Sequence, residues 1–118
     1  SLIVGKPLSM LLSNFNATVT LAHSKTKNLP ELTKQADILI SAIGITHFIT
    51  AAHLNPAKNT MVVDVGMNTL NGKLTGDVAP DVMTVAGGVT PVPGGVGPMT
   101  VVSLIENLIT ATEIQLKG

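Results

Sequence analysis

Two short apolar runs, each ending at a glycine, constrain the fold of this chain more than any other feature. They are Asp37–Ile43 (DILISAI) before Gly44 and Thr60–Val65 (TMVVDV) before Gly66. Apolar runs of this length are typical of parallel strands that are covered on both faces. Parallel neighbours need crossover connections, which usually contain helices. The runs therefore predict an α/β fold, a parallel sheet with helices on both faces.

The remaining elements are predicted from periodicity and from turn residues. Leu8, Leu11, Leu12 and Phe15 recur at helical spacing behind Pro7, a favoured first helical residue. Asn71-Gly72 is a strong hairpin signal within the polar stretch Thr69–Asp77. Helices are predicted over Pro7–Asn14, Leu29–Gln35, Ala51–Leu54 and a long segment after Thr100, and further strands over Ala17–Ala22 and Met83–Ala86.

Composition narrows the class of protein. The 118 residues are 45% hydrophobic and 12% charged, which favours one domain with a substantial core. Seven lysines balance seven acidic residues, so no basic field favours nucleic acid or an anionic membrane. No apolar stretch approaches the roughly 18 residues of a membrane span. Without cysteine, and with three widely spaced histidines, a metal site is not expected, and a reducing cytoplasm fits.

The chain begins with Ser1 instead of Met, and neither a charged segment nor an apolar segment of a signal peptide comes after it. We therefore expect an excised piece of a longer protein.

Ligands of an open parallel sheet bind beyond the carboxyl ends of its strands. Gly5 precedes a predicted helix N-terminus, which could bind a phosphate, although from composition alone an ordinary turn is the favoured interpretation. His23–Thr26 (HSKT) closes the second predicted strand with phosphate donors and no acidic residue, which favours NADP over NAD. A solvated turn is the alternative there.

Asp64 and Asp77 are candidates for acids with a raised pKa, but a structural carboxylate that binds nearby N–H groups is the favoured interpretation. A structural role is also favoured for His47 and His53. The Pro- and Gly-rich segment Pro91–Thr100 precedes a predicted long helix, and its composition favours a functional role.

Pro91–Thr100 (PVPGGVGPMT) resembles the hallmark motif of bifunctional methylenetetrahydrofolate dehydrogenase/methenyltetrahydrofolate cyclohydrolases. Five further motifs support the resemblance in the same order: Ser1–Pro7 (SLIVGKP), His23–Thr26 (HSKT), Ala36–Gly44 (ADILISAIG), Asp64–Asn68 (DVGMN) and Gly76–Val78 (GDV). The resemblance covers the whole chain. It implies that residues 1–118 are the family's Rossmann-like NADP-binding domain, without its first strand and without the separate N-terminal domain that carries the catalytic Lys and Tyr.

The resemblance also implies roles for individual residues. Ser1 would lie beside the cofactor phosphates, and Ser24 beside the 2′-phosphate with His23 and Lys25 assisting. Met67, where the family more often has isoleucine, would approach the nicotinamide end through its backbone. Thr100 would approach the nicotinamide, while Gly97 and Pro98 would face the folate. Gly5 completes the predicted cofactor-binding set, and no catalytic residue is expected in this chain.

The reaction implied by the family is oxidation of 5,10-methylenetetrahydrofolate by NADP, followed by hydrolysis of the methenyl product to 10-formyltetrahydrofolate. The same resemblance implies a cytoplasmic homodimer in one-carbon metabolism that serves purine biosynthesis. Two alternatives stay open at the level of sequence. They are the NADP-binding half of another two-domain dehydrogenase, such as a shikimate-type enzyme, and a non-catalytic nucleotide-binding or dimerisation module.

Overall fold

The structure is a computed structural model that describes residues 5–96. In chain order its helices and strands are α1 (Gly5–Asn14), α2 (Leu29–Thr33), β1 (Ile38–Ser41), β2 (Met61–Asp64), β3 (Asn68–Leu70), β4 (Lys73–Thr75) and β5 (Gly88–Val89). Short 3₁₀-helices span Ala51–His53, Pro56–Lys58 and Pro80–Thr84.

A parallel sheet of three strands in the order β1-β2-β5 organises the described residues. Leu39 lies opposite Val62, and Val62 in turn lies opposite Val89. The Val65 N–H donates to the Ser41 carbonyl at 2.8 Å and extends the β1–β2 ladder beyond the last paired residues. The two apolar runs therefore form adjacent parallel strands, as their composition predicts.

The core packs around β2. Val62 is buried there with Ile49, Leu54 and Val82. Ile49 and Leu54 flank the 3₁₀-helix Ala51–His53, and Val82 lies within the 3₁₀-helix Pro80–Thr84. Ile49 also forms a parallel bridge to Val78, and its N–H donates to the Asp77 carbonyl at 2.9 Å. This bridge joins the segment after β1 to the segment after β4.

The predicted hairpin is present. Strands β3 and β4 pair antiparallel, with Leu70 opposite Lys73. Asn71 and Gly72 have φ values of 51° and 77°, as a type I′ turn requires at both central positions.

Two predicted strands are wrong. Ala17–Ala22 is not a strand, and no described residue pairs with it in a ladder. A β-branched segment becomes a strand only when a neighbour accepts and donates its backbone hydrogen bonds.

Met83–Ala86 is the other error. Pro80 lies in the first turn of a 3₁₀-helix that runs to Thr84, and the strand forms later, at Gly88–Val89. The Thr90 N–H donates to the Val62 carbonyl at 3.0 Å, so pairing with β2 determines where this strand lies. The predicted long helix after Thr100 lies outside the described residues.

The predicted helix near the N-terminus is present and begins two residues early, at Gly5. Its Met10 side chain is 71% exposed, and Phe15, just after its end, is 76% exposed. No helix within residues 5–96 is long and apolar enough to cross a membrane.

Candidate functional site

The carboxyl ends of β1 and β2 carry a network of buried polar side chains. Asp77, which comes shortly after β4, is fully buried at this point. One carboxylate oxygen, Oδ2, accepts hydrogen bonds from the Ser41 hydroxyl at 3.1 Å and from the Ile43 N–H at 2.7 Å. The other, Oδ1, accepts from the Gly44 N–H at 3.1 Å and from Asn68 Nδ2 at 3.0 Å. This one side chain therefore joins the end of β1, the loop after it and the start of β3.

The same hydrogen bonds determine the charge of Asp77. Burial by itself raises the pKa of this carboxyl. The hydrogen bonds from Asn68, Ile43, Gly44 and Ser41 outweigh burial and hold the pKa of Asp77 below its ordinary value. Asp77 is therefore a carboxylate at neutral pH and cannot serve as a proton donor there, in agreement with the structural interpretation.

Asp64 is the second buried carboxylate, at the end of β2. Its Oδ1 accepts from the Gly66 N–H at 2.9 Å and from the Asp77 N–H at 3.1 Å, and its Oδ2 accepts from the Val78 N–H at 3.1 Å. The Asp64 N–H donates to the Thr90 hydroxyl at 2.8 Å. Asp64 thus attaches the segment after β4, and the segment after β5, to the central strand.

Two glycines allow these carboxylates to approach the backbone. A Cβ atom at Gly66 would overlap the Asp77 side chain and would lie 2.7 Å from the Asp77 backbone nitrogen. A Cβ atom at Gly76 would overlap the Asp64 carboxylate. Real Cβ atoms do not come this close, so any larger residue at either position would displace the network.

The turn His23–Thr26 is held by its own hydrogen bonds. The His23 N–H donates to the Thr26 hydroxyl at 2.8 Å, and the Lys25 N–H donates to His23 Nδ1 at 3.1 Å. Because Nδ1 accepts, a neutral His23 carries its proton on Nε2. The turn is exposed except at Thr26, and within the described residues the side chains of Ser24 and Lys25 have no hydrogen bond or ion pair. A hydroxyl and an ammonium group that are exposed together suit a phosphate.

A cleft of about 260 Å³ opens beyond the carboxyl end of β2. The loop Asp64–Met67, the side chain of Leu74 and the segment Pro91–Val96 line it. Gly94 has a φ of 102°, which residues with side chains rarely adopt. The lining is mostly apolar with exposed backbone, which suits the flat ring of a ligand that extends beyond the cleft.

The described part of the chain contains only some of the predicted site residues. Gly5 is the first residue of α1, and Met67 is 73% exposed beside the cleft. No hydrogen bond between described residues joins the turn His23–Thr26 to Met67. Ser1, Gly97, Pro98 and Thr100 lie outside the described residues.

The histidines outside the turn have local partners. His47 Nε2 lies 3.3 Å from the Thr75 hydroxyl, and His53 Nδ1 accepts from the Thr50 N–H at 3.1 Å. Between residues 5 and 96, no group of three or more His, Cys, Asp or Glu side chains could hold a metal ion.

The roles of Ser41, Asn68 and Thr90 were not predicted from the sequence. The sequence pattern around these three residues is weak evidence for a role, because hydroxyl and amide residues are common near strand ends in proteins of any function. The more informative pattern was Asp64 two residues before Gly66, with Asp77 directly after Gly76.

Comparison with known proteins identifies the family. The family model for the NAD(P)-binding domain of tetrahydrofolate dehydrogenase/cyclohydrolase matches residues 1–116. The chain belongs to this family. The bifunctional protein FolD of Methanospirillum hungatei is 59% identical to this NAD(P)-binding domain over 108 residues, which are 91% of the chain and 38% of that protein. The bifunctional protein FolD of Thermodesulfovibrio yellowstonii is 55% identical over 117 residues, 98% of the chain and 40% of that protein.

Solved structures confirm the Rossmann-like α/β fold of this NAD(P)-binding domain. The bifunctional 5,10-methylenetetrahydrofolate dehydrogenase/cyclohydrolase of Thermoplasma acidophilum superposes with a TM-score of 0.91 at 40% identity, over all of this chain and 43% of that one. The enzyme of Trypanosoma brucei, solved with NADP cofactor and an inhibitor, superposes with a TM-score of 0.87 at 35% identity, over 98% of this chain and 42% of that one. The chain thus spans about 40% of the length of the curated relatives it matches.

Proposed function

We propose that this chain is the NADP-binding part of a bifunctional methylenetetrahydrofolate dehydrogenase/methenyltetrahydrofolate cyclohydrolase. The match of residues 1–116 to the NAD(P)-binding domain of that family carries the proposal. The complete protein would oxidise 5,10-methylenetetrahydrofolate and hydrolyse the methenyl product to 10-formyltetrahydrofolate. The names of the relatives support both activities.

The turn His23–Thr26 supports NADP as the cofactor. Ser24 and Lys25 would bind the 2′-phosphate, with Nε2 of His23 as a further donor. Both side chains lack other partners among the described residues, so they need not give up an existing contact to bind it. NADP is also the cofactor named for the Trypanosoma brucei structure.

The cleft beyond β2 supports a site for the other half of the cofactor and for the folate. We propose that the Met67 backbone and Thr100 approach the nicotinamide, and that Ser1 and Gly5 lie beside the phosphates. Gly97 and Pro98 would face the folate. The bound cofactor supplies the hydride acceptor, while the residues of this chain orient it and shield one side of the cleft.

We further propose that residues 1–118 act as a single NADP-binding unit, and that another part of the protein provides the catalytic groups. A neutral net charge supports a protein that binds neither nucleic acid nor membranes, and the absence of cysteine fits a reducing cytoplasm. The homodimer is proposed from the family resemblance alone. Its role would be in one-carbon metabolism and, through 10-formyltetrahydrofolate, in purine biosynthesis.

The proposal is tested by turnover in two proteins. One is the 118-residue chain, and the other is a fusion protein in which the part of the Thermodesulfovibrio yellowstonii relative that precedes the matched region is joined to Ser1. We expect NADPH formation and cyclohydrolase activity in the fusion protein and neither activity in the chain alone. General acid–base catalysis contributes about 10²–10⁴-fold, and no residue here matches the family's catalytic Lys.

The part of the relative that precedes the matched region, expressed alone, is the control for residual activity. Turnover by the 118-residue chain would contradict the assignment of catalysis to another domain. A folded fusion protein that binds neither NADP nor folate would contradict the proposed function itself.

A further inference from the structure

We propose that Asp77 is a positioning residue that sets the nicotinamide half of the cofactor site without touching the cofactor. The inference rests on the proposed function, because it concerns the Met67 backbone that we place beside the nicotinamide. It goes further by assigning a role to a buried residue outside the predicted site.

Met67 lies between two residues that interact with Asp77. Its neighbour Asn68 donates from Nδ2 to Asp77 Oδ1 at 3.0 Å. Its other neighbour, Gly66, packs so closely against Asp77 that a Cβ atom there would overlap the carboxylate. Asp77 therefore contacts the residues on both sides of Met67, whose own side chain is largely exposed. The position of the Met67 backbone depends on these two contacts.

Asp77 also holds the loop after β1. The N–H groups of Ile43 and Gly44 converge on its carboxylate, at 2.7 Å and 3.1 Å. Loops at the carboxyl ends of adjacent parallel strands form the ligand crevice in this type of sheet. One buried carboxylate thus determines the distance between the loop after β1 and the loop after β2.

Both oxygens of Asp77 accept hydrogen bonds, and all of its partners are donors. An asparagine with its N–H₂ group at the Oδ2 position would face the Ile43 N–H, which would lose its acceptor. With that group at the Oδ1 position, the Gly44 N–H would keep only its longer bond, of 3.2 Å, to the other oxygen. Asp77→Asn should therefore move one of the two loops at nearly constant side-chain volume.

The fold does not depend on the Asp77 carboxylate alone. The Asp77 N–H remains bonded to Asp64 Oδ1, and the Asp77 carbonyl still accepts from the Ile49 N–H. The Val78 N–H also remains bonded to Asp64. The segment after β4 therefore stays attached to the sheet when the side chain of Asp77 is changed.

The test compares two ligands by calorimetry on the fusion protein. NADP occupies both halves of the proposed site, whereas adenosine 2′,5′-bisphosphate contains only the adenine half with its 2′-phosphate. We expect Asp77→Asn to weaken NADP binding about tenfold or more and to leave the binding of adenosine 2′,5′-bisphosphate unchanged within about twofold. Asp81→Asn should alter neither affinity, because Asp81 is exposed and an amide oxygen can still accept its hydrogen bond from the Ala51 N–H.

Asn68→Ala is the second variant, because it removes one hydrogen bond and leaves the carboxylate in place. It should weaken NADP binding by a smaller factor, again with the adenosine bisphosphate unaffected, and it decides the question if Asp77→Asn does not fold. An equal loss of affinity for NADP and for adenosine 2′,5′-bisphosphate, or no loss of affinity for either, would overturn the positioning role. If the folded, unaltered fusion protein binds neither ligand, the proposed function fails and this inference fails with it.

Discussion

At the scale of single residues, the charge of the buried carboxylates is balanced without a lysine. Asp64 and Asp77 accept hydrogen bonds from backbone N–H groups, a hydroxyl and an amide. The ion pairs among the described residues lie elsewhere, between Lys34 and Glu31 and between Lys58 and Asp37. These donors are held in place by the fold, so the hydrogen bonds to Asp77 keep their geometry only while its carboxylate stays ionised.

We expect this network to make the protein sensitive to acid. The pKa of Asp77 is lowered in the folded state, so below about pH 4 the unfolded chain binds more protons than the folded chain. The stability that Asp77 contributes is present above that pH and is lost as the pH falls through the folded pKa. The Asp77→Asn variant should have a lower free energy of unfolding at neutral pH. Its free energy of unfolding should also fall less steeply as the pH is lowered.

Urea unfolding monitored by circular dichroism across a pH series measures this difference. Asp81→Asn is the control, because the same substitution there removes an exposed carboxylate. If the free energy of unfolding of Asp77→Asn falls in acid as steeply as that of the unaltered chain, the prediction is contradicted.

The turn His23–Thr26 provides a second residue-scale prediction, on cofactor preference in the fusion protein. Hydrogen bonds to a charged group contribute about 1.5–3 kcal/mol each. Replacing Ser24 and Lys25 together by alanine should therefore reduce the preference for NADP over NAD by at least about tenfold. The measurement is kcat/KM with each cofactor.

Lys27→Ala is the matched control, since Lys27 is an exposed lysine just after the turn. An unchanged ratio in the double variant, or a preference for NAD in the unaltered fusion protein, would show that the turn is not the 2′-phosphate site.

At the scale of elements, the short strands are held in place by hydrogen bonds from the loops at their carboxyl ends. The strands β1 and β2 have four residues each, and β5 has two. Asp77 secures the loop after β1, and Asp64 links β2 to the segments after β4 and β5. The hairpin of β3 and β4 therefore has a structural task, because it carries Asn68 at its start and leads directly into the Gly76-Asp77 pair.

The turn of this hairpin can be tested separately from its packing. Gly72 has a φ of 77° and open space where a Cβ atom would be, so Gly72→Ala introduces conformational strain without a clash. We expect a loss of about 1–2 kcal/mol in the free energy of unfolding. Thermal and urea unfolding measure it, with the exposed Lys73→Ala as the control. A variant as stable as this control would show that the type I′ turn does not stabilise the hairpin.

At the scale of the whole molecule, the edge of the sheet along β1 is unpaired among the described residues. β1 is an edge strand, and no described residue pairs with its outer edge. Ile38 at its start is 63% exposed, and Met10 and Phe15 are exposed on α1 and just after its end. Unpaired edges and exposed apolar side chains both favour association with other chains.

We therefore expect the 118-residue chain alone to be less stable than the fusion protein and to self-associate as its concentration rises. In the fusion protein the added sequence should cover the β1 edge. Light scattering and sedimentation measure the molecular mass of the chain alone and of the fusion protein over a range of concentrations. The fusion protein should form one defined species. A stable, monodisperse monomer of the chain alone would contradict this expectation.

Local sequence was sufficient to predict the features of this protein that depend on neighbouring residues. The apolar runs before Gly44 and Gly66 predicted two parallel strands, and Asn71-Gly72 predicted the hairpin, because strand composition and turn geometry are local properties. The motif Pro91–Thr100 pointed to the family. The turn His23–Thr26 was recognised for its donors, and hydrogen bonds within four residues hold it.

Long-range packing determined which segments of the chain pair as β-strands. Ala17–Ala22 has the composition of a strand but has no pairing neighbour among the described residues. The strand β5 forms at Gly88–Val89, where it can pair with β2, and not at the predicted Met83–Ala86. Asp77 meets Ser41 across 36 residues of sequence and Ile43 across 34. Hydrogen bonds over such distances depend on how the crossovers bring strand ends together, and no local pattern encodes that arrangement.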